Sequence, residues 1–386
     1  MVDLSLLTTT SGSVRAVNTA RVLTAIREAG PISRSELIER SGLSKATVSG
    51  IVSGLLERDA VRETGKLQQG RGRSRILLEF NSAAMTVIGV QIADDRCQFV
   101  RTDLAGAILD RRDAAVDLSD VAKVPGALAR HIRRIATRPG GTVLGVGVGV
   151  PGVVDPAGRH VTVALSHDWH EVDLAEHLER AVGLPVTLAN RAKVAALGQL
   201  AAHPAGAGGR RPGEQVGQDL VYLYLGSGVI AGIVIGGRLH FGHDGTAGDL
   251  GHVMVDPRGP VCACGTRGCL QVLVGSGAIV ADAGVADWDE LECAVAAGDR
   301  DALRAVRRVG DRLGMPLGHL VAAVTPSVIA VGGPTARLGT PLIDAIDRAM
   351  RRCAPTAGPV DIVPADEDAA PRGAAMLWMQ RAGLLR

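Results

Sequence analysis

From residue 85 onward the chain writes one arrangement twice, and that repetition limits the available folds more than any other feature. Segments 85–90, 96–101 and 107–112 read as three short strands. Helical periodicity follows over 121–137, then an almost wholly apolar strand over 143–150 that runs into Gly149-Val150-Pro151-Gly152. A strand at 185–189 and a helix at 192–202 complete the first set. Near Asp219 the order begins again, with strands at 220–225, 230–235 and 238–239. A helix at 301–321, a strand at 328–331 ending in Gly332-Gly333, a helix at 341–353, a strand at 360–363 and a helix at 369–380 close the chain. Two copies of a strand-rich opening followed by alternating strand and helix predict two α/β lobes with a cleft between them. Glycine-rich strand ends facing such a cleft are where phosphates or sugars usually sit. The expected division is lobe one at about 81–190 plus the final helix, about 369–386, and lobe two at about 191–368. Residues 203–213, rich in Gly, Pro, Ala and Arg, read as a mobile surface loop.

The second constraint is local. Within GDLGHVMVDPRGPVCACGTRGCLQ, residues 248–271, lie His252, Cys262, Cys264 and Cys269. Zinc is borderline-soft and favours four thiolate or imidazole ligands at the corners of a tetrahedron. Gly265 and Gly268 permit the tight positive-φ turns of a short knuckle. The other cysteines, Cys97, Cys293 and Cys353, are scattered singly. Because protein would fill all four positions, the expected ion is a structural zinc rather than a catalytic one.

Residues 1–80 read differently. A helix is expected over 14–29, stopped by Gly30-Pro31. Ser33-Arg34-Ser35-Glu36 is a capping box that starts a short helix. Ser41-Gly42 makes a turn, and Ser44 caps a third helix with Val48, Ile51, Val52, Leu55 and Leu56 on one face. That order is the signature of a helix-turn-helix. Ser44, Lys45, Thr47 and Ser49 are the small polar and basic types that reach bases and phosphates. Segments 61–64 and 76–80 look like the strands of a wing, with Gln69-Gly70-Arg71-Gly72-Arg73 between them. Arg71 and Arg73 would suit a narrow minor groove. Residues 1–80 hold 12 Lys+Arg against 8 Asp+Glu, so the basic excess of a chain of net charge +2 lies here. The expected partner is double-stranded DNA; a plain protein-interaction module is the alternative.

Composition adds bounds. A chain of 386 residues with 46% apolar residues can bury two or three cores, filled by aliphatic side chains because aromatics are 2%. No apolar run reaches the ~18 residues of a membrane helix, and MVDLSLLTTTSGS lacks the basic start and apolar core of a signal peptide. Six cysteines with a CxC knuckle fit a reducing cytoplasm better than a disulfide framework.

With these residues in place, the chain resembles the ROK family of repressors and sugar kinases over almost its full length. The matching stretches include GLSKATVSGIVSGLLERDAVRETG, GVGVGVPGVVDPAG, LGSGVIAGIVIGGRL, GDLGHVMVD and CACGTRGCL. The nearest resemblance is to xylose-repressor-like members, which place a winged helix-turn-helix before the sugar-kinase-like domain. The resemblance implies an α/β, actin-like two-lobed fold after residue 80, a homodimer or homotetramer, and zinc on His252, Cys262, Cys264 and Cys269, bracing a sugar site. It places that site at Gly152, Asn190, Arg191, Asp249, His252 and Gln271.

The departures from the family pattern separate regulator from kinase. Gln91 stands where the kinases' phosphate loop carries Asp. Asn190-Arg191-Ala192-Lys193 stands where they have Asn-Asp-x-Asn, whose Asp takes the proton from the sugar hydroxyl. A guanidinium is not a base near neutral pH, and a general base typically contributes about 10²–10⁴-fold. Asp249 and Gln271 each replace a Glu, and Ala164-Leu165-Ser166-His167-Asp168-Trp169 lacks the Asn usual before the Trp. The expectation is therefore a cytoplasmic DNA-binding repressor of carbohydrate metabolism, without kinase activity, controlled by a sugar or sugar phosphate between the lobes. Arg191 and Lys193 either suit an anionic ligand or face solvent or pair with a local carboxylate, leaving the pocket vestigial. The rivals are a sugar kinase with an accessory DNA-binding segment and a zinc-responsive regulator.

Overall fold

The computed structural model describes residues 14–57, 59–67, 75–93, 96–164, 167–202 and 219–385. The expectations for Arg71, Arg73, Leu165, Ser166 and the loop 203–213 lie outside the described residues.

The N-terminal part contains α1 (Val14–Ala29), β1 (Ile32–Ser33), α2 (Arg34–Ser41), α3 (Lys45–Glu57), β2 (Val61–Leu67) and β3 (Arg75–Phe80). The capping box forms: the Ser33 amide donates to Glu36 Oε2 at 2.9 Å while Ser33 Oγ accepts from the Glu36 amide at 3.4 Å. Gly42 ends α2 at φ +66°, in the left-handed region that glycine adopts without strain. Val48, Ile51, Val52 and Leu55 bury one face of α3 against Val22 and Ile26 of α1. The two wing strands pair antiparallel, and the two-residue β1, which the sequence reading did not anticipate, adds to β3. This core is not closed. It continues into Met85, Leu104, Trp378, Met379 and Leu384, and Arg27 donates to the Leu384 carbonyl.

The remainder holds two five-stranded sheets of the same topology. The first is built from β4 (Met85–Ile92), β5 (Cys97–Asp103), β6 (Ile108–Ala114), α4 (Val124–Ala136), β7 (Thr142–Val150), a small sheet of β8 (Val153–Val154), β9 (Val161–Ala164) and β10 (Trp169–Val172), then α5 (Leu174–Val182) and β11 (Val186–Asn190). The second follows α6 (Arg191–Ala202) and uses β12 (Leu220–Leu225), β13 (Val229–Ile235), β14 (Arg238–Leu239), α7 (Leu270–Val274), α8 (Ser276–Ala283), α9 (Trp288–Ala296), α10 (Arg300–Val324), β15 (Val328–Gly332), α11 (Thr340–Cys353) and β16 (Asp361–Pro364). The chain returns through α12 (Ala369–Arg381). The orders β11-β7-β4-β5-β6 and β16-β15-β12-β13-β14 are equivalent strand for strand. In each sheet the opening strand pairs antiparallel with the next and parallel with the fourth. The duplication expected from the sequence is thus present in the hydrogen-bond ladders. The small sheet, α5 and α7 to α9 were not anticipated.

Between the sheets, α12 lies on the first sheet, α6 on the second, and the two helices pack against each other. Glycine makes this contact possible. A Cβ on Gly147 of β7 would sit 1.8 Å from the Ala374 carbonyl oxygen of α12. One on Gly373 of α12 would sit 1.8 Å from the Val194 carbonyl oxygen of α6. Within GVGVGV, Gly147 therefore serves close backbone approach, while Gly145 leaves room for the Trp378 indole. Gly198 and Gly373 bring α6, which follows Asn190 and carries Arg191 and Lys193 in its first turn, against the returning helix.

Candidate functional site

The site is assembled where β11 passes into α6, opposite the loop that follows β14. Asn190 is 6% exposed and fully used as a junction. Its Oδ1 accepts from the Ala192 and Lys193 amides at 2.9 and 3.3 Å, capping α6, and its Nδ2 donates to the Gly152 carbonyl at 2.7 Å. Gly152 turns at φ +92°, where a Cβ would meet the Val163 oxygen at 2.1 Å, so a side chain there is excluded on both counts.

Arg191 and Lys193 do not face solvent; they are 8% and 3% exposed. That corrects the solvated-face half of the alternative, because long cations are buried only when partners satisfy them; its other half, pairing with a local carboxylate, holds for Lys193. Arg191 Nη1 donates to the Ile92 carbonyl at the end of β4, at 3.3 Å. Its Nη2 donates to Tyr224 Oη on β12 at 3.2 Å, and the guanidinium lies 5.1 Å from the Tyr224 ring centroid. One side chain therefore touches both five-stranded sheets. Lys193 Nζ meets Asp249 Oδ1 at 3.3 Å and donates to the Gly245 carbonyl. Burial pushes the Asp249 carboxyl above its ordinary range, and the Lys193 ammonium beside it pulls the other way. Tyr224 and Gly245 escaped the sequence reading, since no motif spacing links positions this far apart.

Three residues beyond Asp249 begins the knuckle. Ligand atoms of His252, Cys262, Cys264 and Cys269 all lie within 4.8 Å of one another. His252 Nδ1 stands 3.8 Å from Cys262 Sγ, and Cys264 Sγ stands 3.6 Å from Cys269 Sγ. A tetrahedral zinc with Zn–S of about 2.3 Å needs sulfur separations of about 3.8 Å, so the donor set fits. Gly265 and Gly268 take φ +87° and +66°, as the turns require. Hydrogen bonds from Thr266 hold the Cys264 thiol down at about 6, while burial and its neighbour thiols push Cys269 up to about 12. Thiolates this close repel, so they ionise together only with a cation between them. Gln271 Nε2 donates to Cys262 Sγ at 3.2 Å. A neutral amide donor here supports the thiolate from outside, as such partners commonly do.

Gly152 and Asn190 are joined by a hydrogen bond, Lys193 links the first turn of α6 to Asp249, and His252 and Gln271 meet at Cys262, while Arg191 reaches Ile92 and Tyr224. Trp169 ends the intervening loop inside the first core, its indole donating to the Leu118 carbonyl at 3.2 Å.

The second candidate surface is α3. Ser44, Lys45 and Ser49 are exposed and Thr47 is half-buried, while Ala46 and Gly50 extend the same exposed face. Ser44 Oγ accepts from the Thr47 amide at 3.2 Å and bonds Thr47 Oγ1 at 2.8 Å. Those two hydroxyls order the helix start, leaving Lys45 and Ser49 as the outward polar groups.

A winged helix-turn-helix joined to a duplicated α/β fold of sugar-kinase type is the class these features define. Comparison with known proteins agrees. The ROK family model matches residues 87–381, and the MarR family model matches residues 16–72. The chain belongs to the ROK family, with a MarR-type winged helix-turn-helix at its N-terminal side. It is 28% identical over 324 residues to the xylose repressor of Bacillus spizizenii, covering 82% of each chain. It is 33% identical over 263 residues to the glucokinase of Thermotoga maritima, covering 62% of this chain and 80% of the relative. The crystal structure of a ROK family transcriptional regulator, a homologue of the E. coli MLC protein, superposes with a TM-score of 0.78 at 23% identity, covering 96% of this chain and 97% of the other. Among the described residues no single helix is long and apolar enough to cross a membrane.

Proposed function

We propose that the chain is a cytoplasmic, sugar-responsive transcriptional regulator, acting as a repressor of carbohydrate metabolism and inactive as a kinase. The observation that carries the reading is the buried Arg191: the position where the family's kinases place a proton-accepting carboxylate holds a guanidinium tied to Ile92 and Tyr224. Gln91 replaces the phosphate-loop Asp as well. Losing both groups removes proton abstraction and phosphate positioning, the two things such an enzyme supplies.

In this reading α3 enters the major groove of double-stranded DNA, led by Lys45 and Ser49 with Ser44 and Thr47 at the helix start, and Arg71 and Arg73 follow the minor groove. A homodimer or homotetramer presents paired modules to paired half-sites. A sugar or sugar phosphate binds at Gly152, Asn190, Arg191, Asp249, His252 and Gln271, between the two sheets. It acts only through its different affinity for two arrangements of the lobes. His252, Cys262, Cys264 and Cys269 would hold a structural zinc, which clamps the loop carrying Asp249 to α7. The shared core of α1 with Trp378, Met379 and Leu384 supports a mechanical link from that region to the winged helix.

The test is selection of bound duplexes from a random library, followed by gel shift. The full chain should enrich a sequence with two related half-sites, and Lys45→Ala with Arg73→Ala should abolish the shift. Equal retention of unrelated duplexes by both proteins would overturn the reading.

A further inference from the structure

Lys193 sits in the first turn of α6 and is 3% exposed. Its ammonium is shared between Asp249 Oδ1 at 3.3 Å and the Gly245 carbonyl. Asp249 is half-buried and is among the residues assigned above to the effector. A carboxylate in such a site recognises a neutral sugar by accepting hydrogen bonds from its hydroxyls. Here a charged donor already holds it, and charge-assisted hydrogen bonds outcompete neutral ones. An entering sugar would have to separate the ion pair, leaving an ammonium with little access to water and no carboxylate, an unfavourable arrangement.

Resting on the reading of this cleft as the effector site, we propose that Lys193 sets ligand affinity: it is an internal competitor that occupies the hydroxyl-binding side of Asp249 and keeps neutral sugars weakly bound. The neighbouring Arg191 reaches the Ile92 carbonyl and the Tyr224 hydroxyl.

The experiment is calorimetric titration of the full chain with glucose, xylose, N-acetylglucosamine and glucose 6-phosphate, for wild type, Lys193→Asn, Lys193→Gln and Lys193→Asn with Asp249→Asn. Thermal unfolding of each variant checks that it is folded. Lys193→Gln keeps a donor toward Gly245 without charge, and carries the test if Lys193→Asn does not fold. The expected result is at least tenfold tighter binding of one neutral sugar by the Lys193 variants, with the gain lost on adding Asp249→Asn. No gain over wild type for any neutral sugar overturns the proposal. So does glucose 6-phosphate binding to wild type that disappears in Lys193→Asn, since Lys193 would then be a ligand contact. Sugar binding of equal strength in all four proteins also overturns it, and places the ligand outside this cleft, refuting the effector-site reading as well.

Discussion

Gly373→Ala should be destabilising, by up to about 2 kcal/mol net, although alanine is the better helix former. Gly373 lies inside α12, and its added Cβ would stand 1.8 Å from the Val194 oxygen, 2.7 Å from the Val194 carbon and 2.7 Å from the Gly198 nitrogen. All three are backbone atoms of α6, so no side chain can rotate away. Restoring even a 3.0 Å contact moves the helices apart by about 1.2 Å, in a dense region where overpacking costs about 1–3 kcal/mol. The propensity gain of about 1 kcal/mol only partly offsets this. Gly126 supplies the control: it is exposed within α4, and its Cβ would meet nothing within 4 Å. Gly126→Ala should therefore stabilise by about 0.5–1 kcal/mol. Scanning calorimetry should show the melting temperature falling for Gly373→Ala and rising for Gly126→Ala, at about 2–4 °C per kcal/mol. The loss should extend to function, because α6 presents Arg191 and Lys193 and is capped by Asn190. A Gly373→Ala protein as stable as wild type would refute backbone-to-backbone packing of α6 on α12.

Three further outcomes are expected. Lys45→Ala should weaken DNA binding and lower the slope of log affinity against log salt by about one, read by anisotropy titration from 50 to 200 mM salt; an unchanged slope would remove Lys45 from the phosphate contacts. Purified protein should carry one zinc per chain by elemental analysis, and chelation or Cys264→Ser should lower the melting temperature and speed proteolysis near residues 252–269; a metal-free protein of equal stability would contradict the assigned clamp. His160 is held between Asp173 and Glu171, at 2.9 and 2.6 Å, and both raise its pKa, Asp173 most. A raised folded pKa adds stability below the unfolded value near 6.5, and that stability is lost as pH climbs through the folded value. The stability gap between wild type and His160→Gln should therefore narrow from pH 6 to pH 9; a constant or widening gap would refute the ion pairs.

Long periodic segments were legible in the sequence because burial of one face leaves a repeat along the chain. The helix 14–29, the capping box and strand 220–225 all fell where expected. The strands β8 to β10 run only two to four residues, too short for a pattern to accumulate. The four knuckle residues could be found because they are close in sequence and chemically unusual. Which residues Arg191 and Lys193 engage could not. Ile92, Tyr224, Gly245 and Asp249 lie far along the chain, and only the fold of the two sheets brings them within hydrogen-bond reach. What the residue types did convey was the loss of a base at position 191, which depends on chemistry rather than on placement.

The missing base at position 191 is tested most directly by phosphotransfer. The full chain, metal-replete, should be mixed with ATP, magnesium and hexoses, pentoses and amino sugars in turn, and ADP release followed by a coupled assay. With Arg191 in place of the base, no sugar-dependent release above the protein-free rate is expected. Sustained turnover on any one sugar, abolished by Asn190→Ala, would contradict it.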